Sequence, residues 1–352
     1  MNNRLTPSVL LVGNFLSGFG FNRGVCDDLA DRLRESGQTV FTTSSKVGRI
    51  SRLMDMLATI FRRNGEYQVA QVDVYSGMAF LWAEAACSLL RFLGKPYILT
   101  LHGGNLPDFS RRWPGRVKRL LGSADIVTAP SQYLQEVMRP YRGDVVLLPN
   151  PMNIKNYPFH LCLAPKPHLV WLRAFHNIYN PQMAPLAIAN LQATFPDITL
   201  TMIGPDKGDG ALQETQETIE KLGLHKNIVI VPGVPKSKVP EYLERADIFI
   251  NTTNADNTPI SVLEAMACGL CVISTNVGGI PYLLDDGRDA LLTPPNDPKA
   301  MANAVRRILT EPDLAERLSR NARKKVEQFD WSVVLPQWET LFSQAASLNN
   351  SI

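Results

Sequence analysis

Cysteine is scarce in this sequence, and the few cysteines form no recognisable framework. The 352 residues include five cysteines, an odd number scattered along the chain, which argues against a network of disulfides. Two of them, Cys268 and Cys271, form a CxxC, but no second CxxC and no pair of histidines accompanies them. We therefore expect this CxxC to have a structural role rather than to bind zinc or to act in redox chemistry.

The sequence also lacks a long uninterrupted hydrophobic run. Residues 78–94 are the best candidate for a membrane-spanning helix, but they include Glu84 and Arg91, which would be costly in a bilayer. The apolar stretch at residues 8–20 is interrupted by Asn14 and by glycines, so it does not resemble a signal peptide. With 45% hydrophobic and 20% charged residues, the chain is expected to be globular, cytoplasmic and long enough for two domains.

Negative charge is in short supply in the first half of the chain. Residues 1–165 carry a formal charge of +7 and residues 166–352 carry −4, which together give the net +3. The basic residues cluster at residues 48–65 and 111–119. Such a face could contact an anionic membrane surface or an anionic substrate, although an ordinary solvated surface would account for it equally well. In a helix, one side of the second cluster would present three basic residues: Arg112, Arg116 and Arg119.

Short apolar runs alternate with helical patterns along the whole chain. One series extends from SVLLVGNF to DVVLLPN, and a second extends from HLVWLRA to DALLTPP. Strands that are apolar throughout are buried on both faces, as in a parallel sheet covered by helices. A proline-rich segment, Pro149–His168, separates the two series. We therefore predict an α/β chain with domains at residues 1–160 and 161–330, followed by a helical segment at 331–352.

In doubly wound sheets, ligands bind beyond the carboxyl ends of the strands, so the residues that follow each strand are the candidates for function. A glycine-rich turn around Gly18 and Gly20 follows the first strand and could approach a phosphate or a sugar. A simple tight turn would give the same pattern. Arg173 follows the first strand of the second half, where a guanidinium could bind a pyrophosphate. An interdomain salt bridge is the structural alternative for this residue.

The segment ADNTPISVLEAMACG, residues 255–269, predicts a helix that begins in the second half of the chain. Thr258 is the expected N-cap and Pro259 the first helical position. We expect the helix to continue to Met266 or Ala267 and to end at Gly269. Its first backbone N–H groups would form an anion site of the kind that holds a pyrophosphate. These groups belong to three residues: Ile260, Ser261 and Val262.

Two carboxylates flank this helix start. Glu264 lies one turn into the helix and could accept hydrogen bonds from ribose hydroxyls. Asp256 lies just outside the helix and could hold sugar hydroxyls. Ordinary surface exposure would also account for Glu264, and a favourable interaction with the helix dipole would account for Asp256.

Residues 255–284 resemble the signature segment of the retaining family 4 glycosyltransferases, which carry the glycosyl transferases group 1 domain. The family pattern is Glu, seven residues and Glu, with Pro three positions after the first Glu and EAMA-x-G-x-PV at the second. The matching residues are Pro259, Glu264, Ala265, Met266, Ala267 and Gly269, and GGIP follows as in the family. Residues 231–253 resemble the preceding loop and strand, and FDWSVV resembles the start of the terminal helix. The resemblance thus covers nearly the whole chain.

This resemblance implies the GT-B fold, in which two Rossmann-like parallel-sheet domains face each other across a cleft. The last helix would pack back on the N-terminal domain. The implied reaction transfers a sugar, with retention, from a UDP- or GDP-sugar to a saccharide or lipid-linked acceptor, as in bacterial surface polysaccharide or glycan biosynthesis. The donor would bind mainly to the second domain and the acceptor mainly to the first. A lipid-linked acceptor would suit a peripheral position on the inner face of an anionic membrane, and no nucleic-acid partner is expected.

The resemblance also assigns roles to the candidate residues. Glu264 would bind the donor ribose, Asp256 the sugar ring and Arg173 the phosphates. Val234 would contact the base through its backbone, and His102 would contact the transferred sugar. The residues predicted to be catalytic are thus His102, Asp256 and Arg173. The acceptor side would comprise His102, Gly103, Gly104 and Asn105. Gly18 and Gly20 would bind the donor by lining the cleft from the first domain.

Two departures from the family pattern are visible. The first acidic position holds Asp256, which is one methylene shorter than the usual Glu. The phosphate-binding lysine is missing, and Tyr179 or Asn180 stands near its place, so Arg23 or Lys207 would have to supply the second cation.

No cofactor or metal ion is expected, because Arg173 and a helix N-terminus could neutralise the departing diphosphate. No Asp-x-Asp motif is present to suggest a metal site. The alternatives are a sugar-nucleotide epimerase of the same fold and a nucleotide-sugar-binding module without transfer activity.

Overall fold

Each of the two series of apolar runs folds into a six-stranded parallel sheet. The computed structural model describes residues 6–17 and 23–348, and these residues form two compact units. The first unit contains the described residues up to Pro151 and those from Trp331 onward, and the second contains Met152–Asp330. The predicted α/β class and the two parallel sheets are confirmed.

In the first unit the strand order is β2-β1-β3-β4-β5-β6. The strands are β1 Val9–Val12, β2 Val40–Thr43, β3 Val69–Val74, β4 Tyr97–Leu101, β5 Ile126–Ala129 and β6 Val146–Leu147. The connecting helices are α1 Val25–Glu35, α2 Arg49–Arg62, α3 Met78–Phe92, α4 Leu106–Arg112, α5 Pro114–Gly122 and α6 Gln132–Met138. Strands β1 and β4 are buried along their whole length, as the apolar runs predicted.

In the second unit the strand order is β12-β11-β10-β7-β8-β9. The strands are β7 His168–Leu172, β8 Thr199–Ile203, β9 Ile228–Val231, β10 Ile248–Asn251, β11 Cys271–Thr275 and β12 Leu291–Thr293. The helices are α7 Met183–Ala189, α8 Ala211–Lys221, α9 Val239–Leu243, α10 Ile260–Cys268, α11 Ile280–Leu283, α12 Pro298–Thr310 and α13 Leu314–Val326. The chain then returns to the first unit as α14, Trp331–Leu348.

Helix α14 is held in the first unit by an aromatic face. Trp338 and Phe342 stack with ring centroids 5.4 Å apart and are both buried. They belong to the same apolar cluster as Leu11 of β1 and Leu33 of α1. Complete burial of one such side chain is worth about 1.5–3 kcal/mol, so this apolar face is sufficient to anchor the terminal helix.

The units divide at residues 151/152, whereas the sequence predicted a boundary at 160/161. The segment between these positions bonds to the second unit. The backbone N–H of Met152 donates to Phe329 O at 2.8 Å, and that of His160 donates to Cys268 O at 3.0 Å. The prolines indicated a linker but could not show which unit its backbone would join.

The five cysteines are buried free thiols. Cys268 ends α10 and Cys271 begins β11, so both lie in the core of the second unit. Among the helices that the structure describes, none is both long and apolar enough to cross a bilayer.

Candidate functional site

In each unit, the first strand of the sheet lies at the point where the strand order reverses direction. In the second unit β7 lies between β8 and β10, so the chain winds outward in both directions from β7. The loops that leave the carboxyl ends of β7 and β10 therefore diverge around a crevice, which is the usual ligand position in such sheets. Arg173 follows β7, and Asp256 lies in the loop after β10.

The guanidinium of Arg173 forms an ion pair with Asp256 and lies over the ring of Tyr179, 4.1 Å from its centroid. Only 14% of the Arg173 side chain and 13% of the Asp256 side chain are exposed. Burial lowers the pKa of Arg173, and the neighbouring Tyr179 opposes this effect. The Nε atom is buried and has no partner among the described residues. The guanidinium therefore retains a donor that an anion could use.

Three hydrogen bonds fix the loop after β7 against the loop after β10. The indole of Trp171 donates to Thr252 Oγ1 at 2.9 Å, and that hydroxyl donates to the carbonyl of Tyr179 at 2.8 Å. The backbone N–H of Asn254 donates to Ile178 O at 2.7 Å. Trp171 and Thr252 are buried and Ile178 is exposed, so the ion pair is supported by two loops that are bonded to each other rather than by two free side chains.

Helix α10 begins one residue later than predicted. Pro259 has an extended conformation and occupies the N-cap position, so Ile260 is the first helical residue. Thr258, the predicted N-cap, makes no cap bond, and its Oγ1 is buried without a partner in the described chain. The helix extends to Cys268 and ends at Gly269, whose φ of 89° is left-handed, so the predicted glycine stop is confirmed.

The start of α10 offers fewer free N–H groups than expected. The N–H of Val262 donates to the carbonyl of Pro259 at 3.1 Å, which removes it from the predicted anion site. The N–H groups of Ile260 and Ser261 donate to no described residue, and the hydroxyl of Ser261 is buried and unpaired within the same residues. The helix start thus retains two N–H groups and one hydroxyl for an anion.

Glu264 is 5% exposed rather than a surface residue. Its Oε1 accepts a hydrogen bond of 2.7 Å from the hydroxyl of Tyr157, which is also buried. Burial raises the pKa of Glu264, and the hydrogen bond from Tyr157 and the charge of Lys236 act in the opposite direction. Burial and the hydrogen bond from Tyr157 restrict the rotation of the Glu264 carboxylate. The position of its second oxygen, Oε2, is therefore fixed as well.

Sequence reasoning did not identify Tyr157 as a site residue. It lies in the proline-rich segment between the two series of strands, where no periodicity points to a buried position. The only available signal was an aromatic residue in a linker, and that alone does not indicate a contact with α10.

The two glycines of the GGIP segment fit against the Asp256 loop. Gly278 has a φ of 55°, and a Cβ there would clash with the carbonyl of Asp256. Gly279 donates its N–H to the same carbonyl at 2.8 Å, and a Cβ on Gly279 would clash with Asn257 O. The family signature therefore requires glycine here because two backbones touch.

In the second unit, Lys207 and the base-contacting candidate Val234 lie in the loops that follow β8 and β9. Lys207 is exposed after β8, and its backbone N–H donates to Phe175 O at 3.1 Å, which places it beside the loop that carries Arg173. Val234 is half-buried in the loop after β9. Arg23, in the first unit, pairs with Asp28 and Asp31. Within residues 6–17 and 23–348, no group of three His, Cys, Asp or Glu side chains is arranged to hold a metal ion.

In the first unit, His102 follows β4 and is buried. Its Nε2 lies 2.9 Å from Oδ1 of Asp73, and its ring stacks on Tyr75. The three residues after it, Gly103, Gly104 and Asn105, are exposed and lead into α4, with Asn105 at its N-cap. The predicted Gly18 and Gly20 lie outside the described residues. Asp73 was not predicted, because a single acid inside an apolar strand carries no recognisable motif.

The predicted basic stripe of the first unit is not formed. Arg112 is the last residue of α4, and the chain bends at Trp113 before α5 begins. Arg116 and Arg119 belong to α5, so Arg112 does not share their helix. Arg116 is also paired with Glu84 of α3. The proline at residue 114 starts a new helix, and this break removes the assumed periodicity.

Two family models match the chain. The model for glycosyl transferases group 1 matches residues 165–325, and the model for glycosyltransferase family 4 matches residues 21–156. A D-inositol 3-phosphate glycosyltransferase of Paenarthrobacter aurescens (strain TC1) is 25% identical over 264 residues, which is 71% of this chain and 65% of that protein. The chain thus spans just under two thirds of the length of this curated relative.

Solved structures show the same architecture over almost the entire chain. A sucrose-phosphate synthase from Thermosynechococcus elongatus has a TM-score of 0.77 at 19% identity, covering 97% of this chain and 100% of that one. The Anabaena protein HepE in complex with UDP has a TM-score of 0.74 at 16% identity, covering 96% and 100%. HepE has also been solved with UDP-glucose. These similarities confirm the GT-B fold of the chain.

Proposed function

Because the chain belongs to the family 4 glycosyltransferases, we propose that it transfers a sugar, with retention, from a UDP-sugar to a saccharide or lipid-linked acceptor. The observation that carries the proposal is the group of side chains around the start of α10. A buried guanidinium, two N–H groups and two carboxylates are gathered at the reversal point of one sheet. The structural likeness to HepE, which was solved with UDP and with UDP-glucose, favours uridine as the base.

The chemistry of these groups fits the successive parts of such a donor. Arg173 and the N–H groups of Ile260 and Ser261 would neutralise the diphosphate as it departs. Glu264 would accept a hydrogen bond from a ribose hydroxyl, and Asp256 would hold the sugar ring. As the bond from the anomeric carbon to the diphosphate breaks, the acceptor oxygen bonds to the same face. Its proton passes to the departing phosphate oxygen, so the mechanism assigns no side chain as the base.

The proposal is tested by measuring UDP release from a panel of nucleotide-sugars, with and without saccharide and lipid-linked acceptors. We expect release that depends on an acceptor and a product with the donor's anomeric configuration by NMR. We also expect the rate to stay within about twofold when divalent cations are chelated, because the described cations and N–H groups supply the neutralisation.

Three other outcomes would contradict parts of this proposal. Conversion of the donor sugar without an acceptor would identify an epimerase. Binding without turnover would identify a nucleotide-sugar-binding module. Loss of activity on chelation, restored by Mg²⁺, would refute metal independence.

We further propose that the first unit rests on an anionic membrane through α2. Ile50, Met54, Leu57 and Phe61 fall within about 60° of the helix circumference at 3.6 residues per turn. Ile50 is 81% exposed, and Met54 and Phe61 are each 62% exposed. Exposed arginines flank this apolar stripe at both ends of the helix. An apolar face bordered by positive charge is typical of helices that lie in a bilayer interface.

The membrane proposal is tested by sedimentation with anionic and neutral vesicles. We expect the native protein to partition to anionic vesicles. The double variant Ile50→Ser/Phe61→Ser should bind at least about a hundredfold more weakly, since the two lost side chains together remove about 3–6 kcal/mol of burial. The matched control is Leu163→Ser/Val229→Ser, which removes two exposed apolar side chains from the second unit. Equal partitioning of both variants and the native chain would favour a soluble acceptor.

A further inference from the structure

Asp73 and His102 form a buried pair that the proposed reaction does not yet use. Only 9% of the His102 side chain and 6% of the Asp73 side chain are exposed. We propose that Asp73 is a positioning residue, which fixes the tautomer of His102 so that Nδ1 accepts a hydrogen bond from a sugar hydroxyl. This inference rests on the proposed function, together with the contact to the transferred sugar that the family resemblance implies for His102.

The position of Asp73 follows from strand pairing. Asp73 of β3 is aligned with Thr100 of the neighbouring parallel strand β4, and His102 lies two residues beyond Thr100 on the same face. The backbone N–H of His102 donates to Val74 O at 2.8 Å. The imidazole therefore folds back over Asp73 at the carboxyl end of the sheet.

A second side chain determines which atom of the pair carries the proton. The amide nitrogen of Gln71 lies 2.8 Å from Oδ1 of Asp73 and 2.8 Å from Oγ1 of Thr100. If the amide were reversed, its oxygen would face the carboxylate oxygen, so the nitrogen must be the donor. Asp73 Oδ1 is then an acceptor for both neighbours, and the proton between Asp73 and His102 belongs to Nε2.

This arrangement leaves Nδ1 of the neutral imidazole as an acceptor. Nδ1 is not among the buried unpaired atoms and bonds to no described residue, so it is accessible to a ligand. Tyr75 stacks on the ring at 4.9 Å between centroids with an 18° angle between planes, which prevents the ring from rotating freely. A hydroxyl of the sugar can donate a hydrogen bond to Nδ1. Nδ1 cannot donate a hydrogen bond in return, so it does not bind a group that is only an acceptor.

Gly13 completes the support of this pair. It follows β1, and a Cβ there would come within 2.6 Å of Asp73 Oδ2. Glycine at this position lets the carboxylate lie close to the neighbouring backbone.

The test compares the native protein with Asp73→Asn, which keeps the shape but offers the imidazole a donor as well as an acceptor. The first readout is the ¹⁵N spectrum of the imidazole, assigned by the signals that disappear in His102→Gln. We expect only the Nε2–H tautomer in the native protein and a substantial Nδ1–H population in Asp73→Asn. The matched control is Thr100→Val, which removes a hydroxyl from the same buried network without touching either partner.

The second readout is transfer kinetics with UDP-glucose as the first donor probe. We expect kcat of Asp73→Asn to fall about tenfold to a hundredfold, as is usual when the partner that orients a functional histidine is lost. UDP affinity should stay within about twofold, because the proposed UDP contacts lie in the second unit. Thr100→Val should retain the native tautomer and kcat.

The outcomes separate this inference from the proposed function. An unchanged tautomer, or an unchanged kcat, in Asp73→Asn would overturn the inference even if the protein transfers sugar normally. If the native protein transfers no sugar from any donor, the proposed function fails. The role of Asp73 toward the sugar fails with it, and the spectrum then reports only a structural pair.

Discussion

Replacing Arg173 with alanine is expected to weaken UDP binding by roughly tenfold to a hundredfold. No lysine occurs between residues 174 and 206, so in the proposed site the guanidinium has no second cation close to it in sequence to share the diphosphate. Hydrogen bonds to charged groups contribute about 1.5–3 kcal/mol, and each 1.4 kcal/mol is a factor of ten in affinity. Titration calorimetry with UDP, without any sugar, measures this contribution directly.

Two further variants locate the effect. Arg307→Ala removes an exposed ion pair with Glu311 on α12 and should leave UDP affinity unchanged. Lys207→Ala tests the second cation, and a measurable but smaller loss would show that Lys207 replaces the missing lysine. If Arg173→Ala bound UDP as tightly as the native protein, the diphosphate would have to bind elsewhere.

Removing the charge of Asp256, the ion-pair partner of Arg173, should have the opposite effect on UDP affinity. In Asp256→Asn the guanidinium loses its anionic partner, so its charge becomes fully available to the diphosphate. UDP should then bind as tightly as before or more tightly, while sugar transfer falls by about tenfold or more because a neutral amide is a weaker acceptor for a sugar hydroxyl than a carboxylate. Asp256→Glu should also lower turnover, since the rigid loops hold the pair at the reach of the shorter acid. Parallel loss of UDP affinity and turnover in Asp256→Asn would instead mean that Asp256 positions Arg173.

The sequence predicted the features that local spacing controls. The apolar runs located the strands, and their carboxyl ends located Arg173 and Asp256. The helix pattern located Glu264 and the stop at Gly269. These features depend on a few adjacent residues. The GT-B fold, including the return of the last helix to the first domain, was predicted from the family signature.

The features that the sequence did not predict depend on long-range pairing. Tyr157 reaches Glu264 across 107 positions of sequence, and Asp73 reaches His102 only through the register of two strands. No periodicity records either contact. The basic stripe was wrong for a different, local reason, because one proline at residue 114 begins a new helix and ends the assumed repeat.

Replacing Glu264 with glutamine is expected to stabilise the protein and to weaken UDP binding. Burial raises the pKa of the native carboxyl, which means that the charged form is penalised in the folded state. The amide avoids this penalty, and its oxygen can still accept the hydrogen bond from Tyr157. UDP affinity should fall about tenfold, because a neutral amide is a weaker acceptor for ribose hydroxyls than a carboxylate.

The sign of the pH dependence follows from the raised pKa. The stability that the neutral carboxyl provides is fully present below its unfolded pKa and is lost as the pH rises through its folded pKa. The Tm difference between Glu264→Gln and the native protein should therefore be largest at neutral pH. It should shrink as the pH falls and the native carboxyl becomes protonated. Thermal unfolding from about pH 4, near the ordinary pKa of Glu, up to about pH 8 measures this difference.

Glu244→Gln is the matched control, because Glu244 is an exposed acid of the same unit at the end of α9. The Tm difference between Glu244→Gln and the native protein should not vary with pH, and the two proteins should bind UDP equally well. Binding of 2′-deoxy-UDP and 3′-deoxy-UDP distinguishes contacts to the ribose from contacts to the diphosphate. The native protein should bind at least one analogue more weakly than UDP. For Glu264→Gln the difference between UDP and that analogue should be much smaller. If Glu264→Gln bound UDP like the native protein and were also less stable, Glu264 would be a structural acid whose charge the fold requires.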